Sequence, residues 1–415
     1  MRILLWHGYL LAGTGSNIYT QAVAREWSRA GHDVVVICQE PHPDRYDLGG
    51  ARVFRPNIGG LLPVFVLDRY EGVEPKLLQD FTRAERDRYV ALSATAICAH
   101  APADLVFANH VLPGAAVGFA SGLPFAVKAH GSELEYSMRA NAELTEWGRQ
   151  ALAHAEAVFV GSAHIRAVLE EIVGHVDRVY EVPPGVDVEE FQPERRDVAL
   201  ERLLGEARAD PPNPGNAQER LPDEGNAERL AAFFRTDEPT VVYFGKLLYN
   251  KGVHLLLEAL RELDARAVIV GFGDYRSDLE RSAPPRALFT GPLEHRHLRH
   301  LLPLADVCVV PSIFPEAFGM VAAEAAASGC PPLVARHSGL AAIAEGLEAE
   351  YPEHHAQLAS FETGNVAELV ARLRELLALS AEERDALGQA ARRAAVARWS
   401  WSSVASRLLV PFGGA

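Results

Sequence analysis

The sequence predicts an α/β protein made of two doubly wound parallel sheets. Three observations support this fold class: a length of 415 residues, continuous Val- and Ile-rich runs that alternate with helical stretches, and a break in that alternation near residue 184. At ~150 residues per domain, such a length suggests two or three domains. Because helices cover both faces of a parallel sheet, its strands are typically continuous apolar runs.

The first half of the chain begins with a strand, a Gly-rich loop and a helix. Arg2 to Trp6 is an apolar run, Gly13-Thr-Gly-Ser16 forms the loop, and Ile18 to Ala30 carries apolar residues at helical spacing. Gly31 ends the helix before a second apolar run, Val34 to Cys38. Three more buried strands are predicted in this half: Leu105 to Ala108, Phe125 to Lys128, and Ala157 to Val160.

The second half repeats the alternation after a polar interruption. Residues 210–226 are rich in proline and polar side chains and contain no long apolar run. Such a stretch buries little surface, so it is predicted to be a loosely packed surface insertion. Beyond it, the predicted strands are Val241 to Phe244, Ala267 to Val270, Ala287 to Thr290, Val307 to Val310, and Pro332 to Ala335.

Charge and composition exclude several classes of function. A net charge of -15 argues against nucleic-acid binding, which needs a basic surface. The four cysteines are scattered without metal-ligand spacing, which favours a reducing, cytoplasmic location over a disulfide-bonded one. The longest apolar stretch, Val111 to Val127, is interrupted by Pro and Gly and is shorter than the ~20 residues of a membrane helix. No integral membrane segment is therefore expected.

The first strand–helix turn admits three interpretations. Its Gly13 and Gly15 begin a dinucleotide-binding fingerprint, but Ile18 stands where the third glycine is needed. The two glycines alternatively allow backbone N–H groups to approach an anion at a helix start. An ordinary tight turn explains the same residues.

Two motifs in the second half each contain two side chains of the same charge. Lys246 and Lys251 lie five residues apart in a loop between a strand and a helix. Glu316 and Glu324 lie eight residues apart, the first before a predicted helix and the second inside it, with Gly319 between them. The two carboxylates can face one pocket at different depths, and Gly319 would let a ligand approach free N–H groups at the helix start, although solvated surface charges or carboxylates at a helix start give the same pattern. The sequence contains no Asp-x-Asp metal motif, and we expect neither a metal nor a cofactor.

Taken together, the motifs resemble those of the retaining nucleotide-sugar glycosyltransferases of family 4, which have the GT-B architecture. The segments that carry the resemblance are the Gly-rich first loop, Lys128-Ala-His130-Gly-Ser132, Pro184-Gly-Val-Asp187, Gly245-Lys246 with Lys251-Gly252, Val270-Gly-Phe-Gly273, and Glu316 with Phe318-Gly319 and Glu324. The resemblance implies two facing Rossmann-like domains with an interdomain cleft. Residues 1–184 would form the acceptor-side domain and 185–397 the donor domain. A C-terminal helix, 398–415, would pack back on the first domain through an apolar face that includes Trp399 and Trp401.

The resemblance also implies a role for each site residue. Lys246 and Lys251 would hold the donor diphosphate, although the family usually has Arg at the first position. Glu324 would accept hydrogen bonds from the ribose, and Glu316 would engage the donor sugar. The implied catalytic residues are His130, Glu316 and Lys251, and the implied donor-binding residues are Gly13, Gly15, Ser16, Lys246, Lys251, Phe318, Gly319 and Glu324. His110 follows another predicted strand and is a candidate on the acceptor side.

The expected function is therefore metal-independent transfer of a hexosyl group, with retention, from a nucleotide-diphosphate sugar to an acceptor hydroxyl. UDP is the favoured nucleotide, and a soluble small acceptor is favoured over a lipid. Two alternatives stay open: another enzyme of the same architecture, such as a sugar-nucleotide epimerase or a phosphorylase, or a non-catalytic relative that binds nucleotide sugars. His295, His297 and His300 lack a metal-binding motif with matching carboxylates and predict a solvated helix face.

Overall fold

Two units divide the chain: Met1–Gly185 together with Trp401–Ala415, and Val186–Ser400. The structure, a computed structural model, describes residues 1–11, 13–67 and 72–414. Each unit contains one main parallel sheet covered by helices, as expected for a doubly wound fold. The apolar core of each unit lies between its sheet and these helices.

The sheet of the first unit has seven parallel strands. Two further strands, β4 and β5, pair with each other as a separate parallel ribbon. The strands are β1 (Arg2–Trp6), β2 (Asp33–Ile37), β3 (Arg52–Phe54), β4 (Leu61–Val64), β5 (Glu74–Leu77), β6 (Leu105–Asn109), β7 (Phe125–Lys128), β8 (Ala157–Val160) and β9 (Val179–Glu181). The order in the sheet is β3-β2-β1-β6-β7-β8-β9. The α-helices before residue 185 are α1 (Gly15–Arg29), α2 (Arg83–Cys98), α3 (Ala116–Ala120), α4 (Ala142–Leu152) and α5 (Ala163–Val173).

The second unit has six parallel strands in the order β12-β11-β10-β13-β14-β15. They are β10 (Thr240–Phe244), β11 (Arg266–Val270), β12 (Ala287–Phe289), β13 (Val307–Val310), β14 (Pro332–Ala335) and β15 (Ser360–Phe361). Its α-helices are α6 (Arg196–Arg208), α7 (Asn226–Phe233), α8 (Val253–Ala259), α9 (Arg276–Ser282), α10 (His295–Leu301), α11 (Met320–Ala327), α12 (Ser338–Glu348), α13 (Val366–Ala378) and α14 (Ala381–Ala394). The strands predicted as continuous apolar runs are all present in the two sheets.

The C-terminal helix α15 (Trp401–Leu409) belongs to the first unit. The indole N–H of Trp27 donates to the carbonyl of Ala405 at 2.8 Å, and Gly185 lies against the Trp401 indole. One expectation about this segment is wrong: Trp399 is not part of the returning apolar face. It lies in the core of the second unit, with its ring 6.2 Å from that of Phe318, because the chain leaves that unit only after Ser400.

Residues 210–226 pack more tightly than their composition predicts. Asp223 is buried, its carboxylate pairs with Arg276 at 2.6 Å, and its N–H donates to a main-chain carbonyl that follows β12. Asn213 and Asn226 are also buried, and their amides donate to main-chain carbonyls. The expectation of a loose insertion is therefore wrong for these anchors, since buried polar side chains hold the segment where apolar ones are few.

We expect Asp223→Ala to lower the free energy of unfolding by about 3 kcal/mol. The change removes the buried counterion of the Arg276 guanidinium, which is 17 % exposed and keeps the more exposed Glu280 as a partner, and breaking such a buried pair costs roughly 3 to 5 kcal/mol. Glu219→Ala alters an exposed carboxylate of the same segment and should change the stability by less than about 0.5 kcal/mol. Urea denaturation of both variants measures the difference. Equal stabilities would show that the segment is held loosely after all.

Candidate functional site

In the second unit, three loops at the carboxyl ends of the strands lie against one another. The N–H of Leu247, after β10, donates to the carbonyl of Phe272, after β11, at 2.7 Å. Gly271 has φ +143°, and a Cβ there would lie 1.8 Å from the carbonyl oxygen of Gly245. At Gly252 (φ +70°) a Cβ would lie 1.9 Å from a carbonyl oxygen that follows β13. Glycine is therefore required for the backbones to approach this closely.

These loops place the two predicted lysines differently. The ammonium group of Lys251 lies 2.5 Å from Oε1 of Glu316, and both side chains are partly exposed, at 28 % and 22 %. Lys246 is exposed, and its carbonyl accepts a hydrogen bond from the hydroxyl of Tyr243 at 2.9 Å. The structure thus brings together Lys251 and Glu316, two predicted residues that lie 65 positions apart in the chain.

The segment that precedes α11 holds Glu316 and exposes backbone donors. The N–H of Glu316 donates to Oγ of Ser338 at 2.8 Å. Gly319 has φ +116° and directly precedes α11, so N–H groups of the first turn are available to an anion. The Phe318 side chain is buried, so that only the backbone of this predicted donor-binding residue is available to a ligand.

Glu324 lies inside α11 and is 6 % exposed. Burial, together with the negative charge of Glu190, raises the pKa of Glu324 from 4.5 to about 8. Its Oε1 lies 3.7 Å from Nε2 of His295, whose Nδ1 lies 3.8 Å from Glu190. Because no counterion compensates the burial fully, the carboxyl is poised to change its ionisation when a ligand arrives.

Two of the three histidines of α10 are buried against carboxylates, so the expectation of a solvated face is wrong for them, whereas the His295 side chain is 51 % exposed. His297 is fully buried, with Nε2 3.0 Å from Asp210, and His300 is nearly buried, with Nδ1 2.7 Å from Glu194. The carboxylate partners come from distant parts of the chain, so local sequence could not reveal them. Across residues 1–11, 13–67 and 72–414, no group of three or more His, Cys, Asp or Glu side chains is arranged to hold a metal ion.

In the first unit, His130 follows β7, and its ring orientation is fixed by neighbours. Nε2 of His130 lies 2.7 Å from Oδ1 of Asn109, whose amide nitrogen donates to Oγ1 of Thr20 at 3.2 Å. The amide oxygen of Asn109 therefore faces the imidazole, which makes Nε2 of His130 the protonated nitrogen. Burial, reinforced by the charge of His110, holds the pKa of His130 well below its usual value. The imidazole is neutral at physiological pH.

His110 lies beside His130, with ring centroids 4.6 Å apart. It has φ +67°, a left-handed conformation that is uncommon for a residue other than glycine. Its Nδ1 lies 3.2 Å from Oε2 of Glu133, a carboxylate that is fully buried. The sequence singles out His110 and His130 by their positions after strands, but it does not single out Glu133.

His7 is a further residue that the motifs do not reveal. It follows β1, is fully buried, and has Nε2 2.8 Å from Oδ1 of Asn17. Its ring stacks near that of His110, at 6.1 Å between centroids. Burial lowers the pKa of His7 to about 3, with a further contribution from the charge of His110. The one available signal was its place at the end of a buried strand.

The Gly-rich first loop leads into α1 and is open to solvent. Gly13 (φ +93°) and Gly15 are exposed, Ser16 is partly exposed, and a Cβ added at either glycine would meet no atom within 4 Å. Ile18 is 46 % exposed, so the close helix–strand packing that calls for the third fingerprint glycine is absent at this position. The glycines therefore leave room for a ligand without being required by internal packing.

Comparisons with known proteins cover most of the chain. Residues 14–185 match the family model described as "Glycosyl transferase 4-like domain", and residues 226–394 match the one described as "Glycosyl transferases group 1". A D-inositol 3-phosphate glycosyltransferase of Xylanimonas cellulosilytica is 29 % identical over 273 residues, covering 63 % of this chain and 57 % of that protein. The sulfoquinovosyl transferase SQD2 of Arabidopsis thaliana is 32 % identical over 177 residues, covering 41 % and 32 %. The chain thus spans from about a third to a little over half of the length of these relatives.

Solved structures share the fold over the full chain. Sucrose-phosphate synthase from Thermosynechococcus elongatus has a TM-score of 0.64 at 20 % identity, covering 100 % of this chain and 98 % of that one. The HepE protein of Anabaena, in complex with UDP, has a TM-score of 0.68 at 16 % identity, covering 100 % of both chains. In the described part of the chain, no helix is long and apolar enough to span a membrane.

Proposed function

We propose, on the premise that this chain is a glycosyltransferase of the GT-B fold, that it transfers a hexosyl group from a nucleotide-diphosphate sugar to an acceptor hydroxyl, with retention and without a metal. The observation that carries this proposal is the pairing of Lys251 with Glu316 at 2.5 Å, beside the N–H groups that begin α11. A cation, a carboxylate and backbone donors on one sheet edge suit a sugar diphosphate.

The diphosphate is bound by positive charge that the unit already provides. Lys251 loses its pairing with Glu316 to the incoming phosphate, while the exposed Lys246 approaches as a second point charge. The N–H groups at the start of α11, after Gly319, add their partial charge. As the bond between the anomeric carbon and the phosphate oxygen breaks, charge grows on the leaving diphosphate, and these groups stabilise it.

The other site residues orient the donor. Glu316, released from Lys251, accepts hydrogen bonds from sugar hydroxyls, and Glu324 accepts them from the ribose. His130 orients the transferred sugar with a neutral imidazole. The acceptor oxygen attacks the same face that the diphosphate leaves, and the diphosphate takes the acceptor proton. We assign no enzymic nucleophile and no cofactor.

For the donor and the acceptor, we propose a chemical class of substrate. UDP is the favoured donor nucleotide, and the solved HepE complexes with UDP and UDP-glucose support this choice by shared fold. A soluble small acceptor in the cytoplasm is favoured, in line with the relative named for D-inositol 3-phosphate. Analysis of the reaction products distinguishes a transferase from an epimerase or a binding-only protein, since only a transferase joins the sugar to a new hydroxyl.

We expect turnover to survive a chelator and the product to keep the anomeric configuration of the donor. The physical reason is that Lys246, Lys251 and the helix start supply the charge that a divalent cation supplies elsewhere. Release of nucleoside diphosphate is measured with and without EDTA, and the product is examined by NMR. Loss of activity in EDTA that manganese restores would contradict the metal independence. An inverted product would contradict retention.

A further inference from the structure

One buried carboxylate ties together the two loops that carry His110 and His130. Oε1 of Glu133 accepts hydrogen bonds from the N–H of His130 at 2.9 Å and from the N–H of Val111 at 3.2 Å. Its Oε2 lies 3.2 Å from Nδ1 of His110. Glu133 is fully buried, so these three donors take the place of water around a charged group.

The hydrogen bonds keep Glu133 ionised. Burial alone would raise the pKa of its carboxyl, but the electrostatic interaction and hydrogen bond with His110, together with the N–H groups, outweigh burial and leave the pKa below the usual value. An ionised carboxylate can only accept hydrogen bonds. When the imidazole of His110 is neutral, its proton is therefore on Nδ1, beside Glu133, and Nε2 carries a lone pair.

That lone pair has no partner in the described part of the chain. Nε2 of His110 is buried and makes no hydrogen bond there, which is uncommon for a buried polar atom. The rings of Phe65 and Tyr9 lie 4.9 and 5.4 Å from the imidazole. Aromatic rings around one hydrogen-bond acceptor suit a polyol or a sugar, which offers both C–H faces and hydroxyl groups. Because Nε2 is buried, a ligand can reach it only if a neighbouring side chain moves, and Phe65 is the less buried of these two rings.

We propose that Glu133 is a positioning residue that fixes the Nδ1–H tautomer of His110, so that Nε2 accepts a hydrogen bond from a hydroxyl of the acceptor, a polyhydroxylated molecule. This inference rests on the proposed transferase function. It explains why His110 is held at φ +67°, since backbone strain persists where the surroundings fix a functional geometry. It also adds a residue that none of the sequence motifs contains.

Glu133→Gln tests the tautomer with almost no change in shape. The amide oxygen can still accept from the N–H groups of His130 and Val111, but the amide NH₂ then faces Nδ1 of His110. The imidazole must accept there, which moves the proton to Nε2. We expect ¹⁵N NMR of histidine-labelled protein to show a protonated Nδ1 in the wild type and a protonated Nε2 in the variant. The His110 signals are assigned by their loss in His110→Asn, a residue that tolerates left-handed backbone.

The ligand is tested with three probes: myo-inositol, methyl α-glucoside and glycerol. At least one of them should shift the Nε2 resonance of His110 in the wild type, and none should do so in Glu133→Gln. With UDP-glucose as donor, kcat/KM for the responding polyol should fall about 10- to 100-fold in Glu133→Gln, because an acceptor has become a donor. The effect on the donor KM should be smaller.

Glu135→Gln is the matched control. Glu135 lies two residues after Glu133 in the chain, but its side chain is exposed and pairs with Arg139. It should behave as the wild type in both assays. A wild-type His110 protonated on Nε2, an unchanged tautomer in Glu133→Gln, or no response to any probe would overturn the inference. If the wild type consumes no nucleotide sugar, the proposed transferase function is wrong. The NMR measurement still determines the tautomer of His110 in that case.

Discussion

Replacing Lys251 by alanine is expected to lower turnover at saturating donor by on the order of 100- to 1,000-fold. The Lys251 ammonium lies 2.5 Å from Oε1 of Glu316, and we expect it to turn to the diphosphate when the donor binds. Charge on the leaving phosphate grows toward the transition state, so loss of this cation harms the chemical step more than binding. Steady-state release of nucleoside diphosphate measures kcat and the donor KM separately.

Lys76→Ala is the matched control for this variant. Lys76 is also a lysine paired with a glutamate, Glu85, at 2.8 Å and with similar exposure, but it lies in the first unit. Its loss should leave kcat within about twofold, because a surface ion pair contributes only ~0 to 1 kcal/mol. If Lys251→Ala raised only the donor KM, the cation would bind ground and transition states equally. The role assigned to Lys251 would then be wrong.

Replacing Glu324 by alanine is expected to weaken donor binding about 10- to 150-fold, with a smaller effect on kcat. Ribose hydroxyls make the same contacts before and during the reaction, and hydrogen bonds to a charged group contribute roughly 1.5 to 3 kcal/mol. Calorimetric titration with UDP-glucose at pH 9, where Glu324 is ionised, measures the loss. A variant that binds the donor normally but does not turn over would contradict the ribose assignment.

The same carboxyl gives a dependence of donor affinity on pH. Because its pKa is raised to about 8, Glu324 is mainly protonated at pH 6 and ionises as the pH rises through 8. If the ribose binds the ionised form of Glu324, the affinity for the donor should therefore rise between pH 6 and pH 9. Below the pKa, the rise should be up to about tenfold per pH unit. His295 and Glu190 face the same group and remain in Glu324→Gln, in which this rise should disappear. If the affinity of the wild type for the donor falls between pH 6 and pH 9, the ionised carboxylate of Glu324 is not the form that binds the ribose.

The main strands of both sheets were predictable because each is a continuous apolar run. The missed strands lack that signal: β15 has two residues, β3 and β9 are largely exposed, and β4 and β5 each contain a proline. Trp399 was misplaced for a related reason. An apolar residue at helical spacing shows that a face is buried, but not which of two cores buries it.

The candidate site was predictable only where chemistry is concentrated in short motifs. Lys251, Glu316 and Glu324 lie in such motifs, whereas Glu133 and His7 become notable only through burial and partners that the fold supplies. The anchors of residues 210–226 show the same limit. From the sequence, Asp223 is predicted to be a solvated acid in a polar segment. Its pairing with Arg276, 53 positions away, depends on the tertiary structure.

If the second unit binds a nucleotide-sugar donor for transfer, the protein must consume such a donor with the help of Lys251. Release of nucleoside diphosphate is followed across UDP-, GDP- and ADP-sugars for the wild type, Lys251→Ala and Lys76→Ala in parallel. We predict that at least one donor, with UDP-sugars favoured, is consumed by the wild type and by Lys76→Ala, and that its consumption falls at least about 100-fold in Lys251→Ala. Consumption of no nucleotide sugar by the wild type, or equal consumption by all three proteins, would contradict the account.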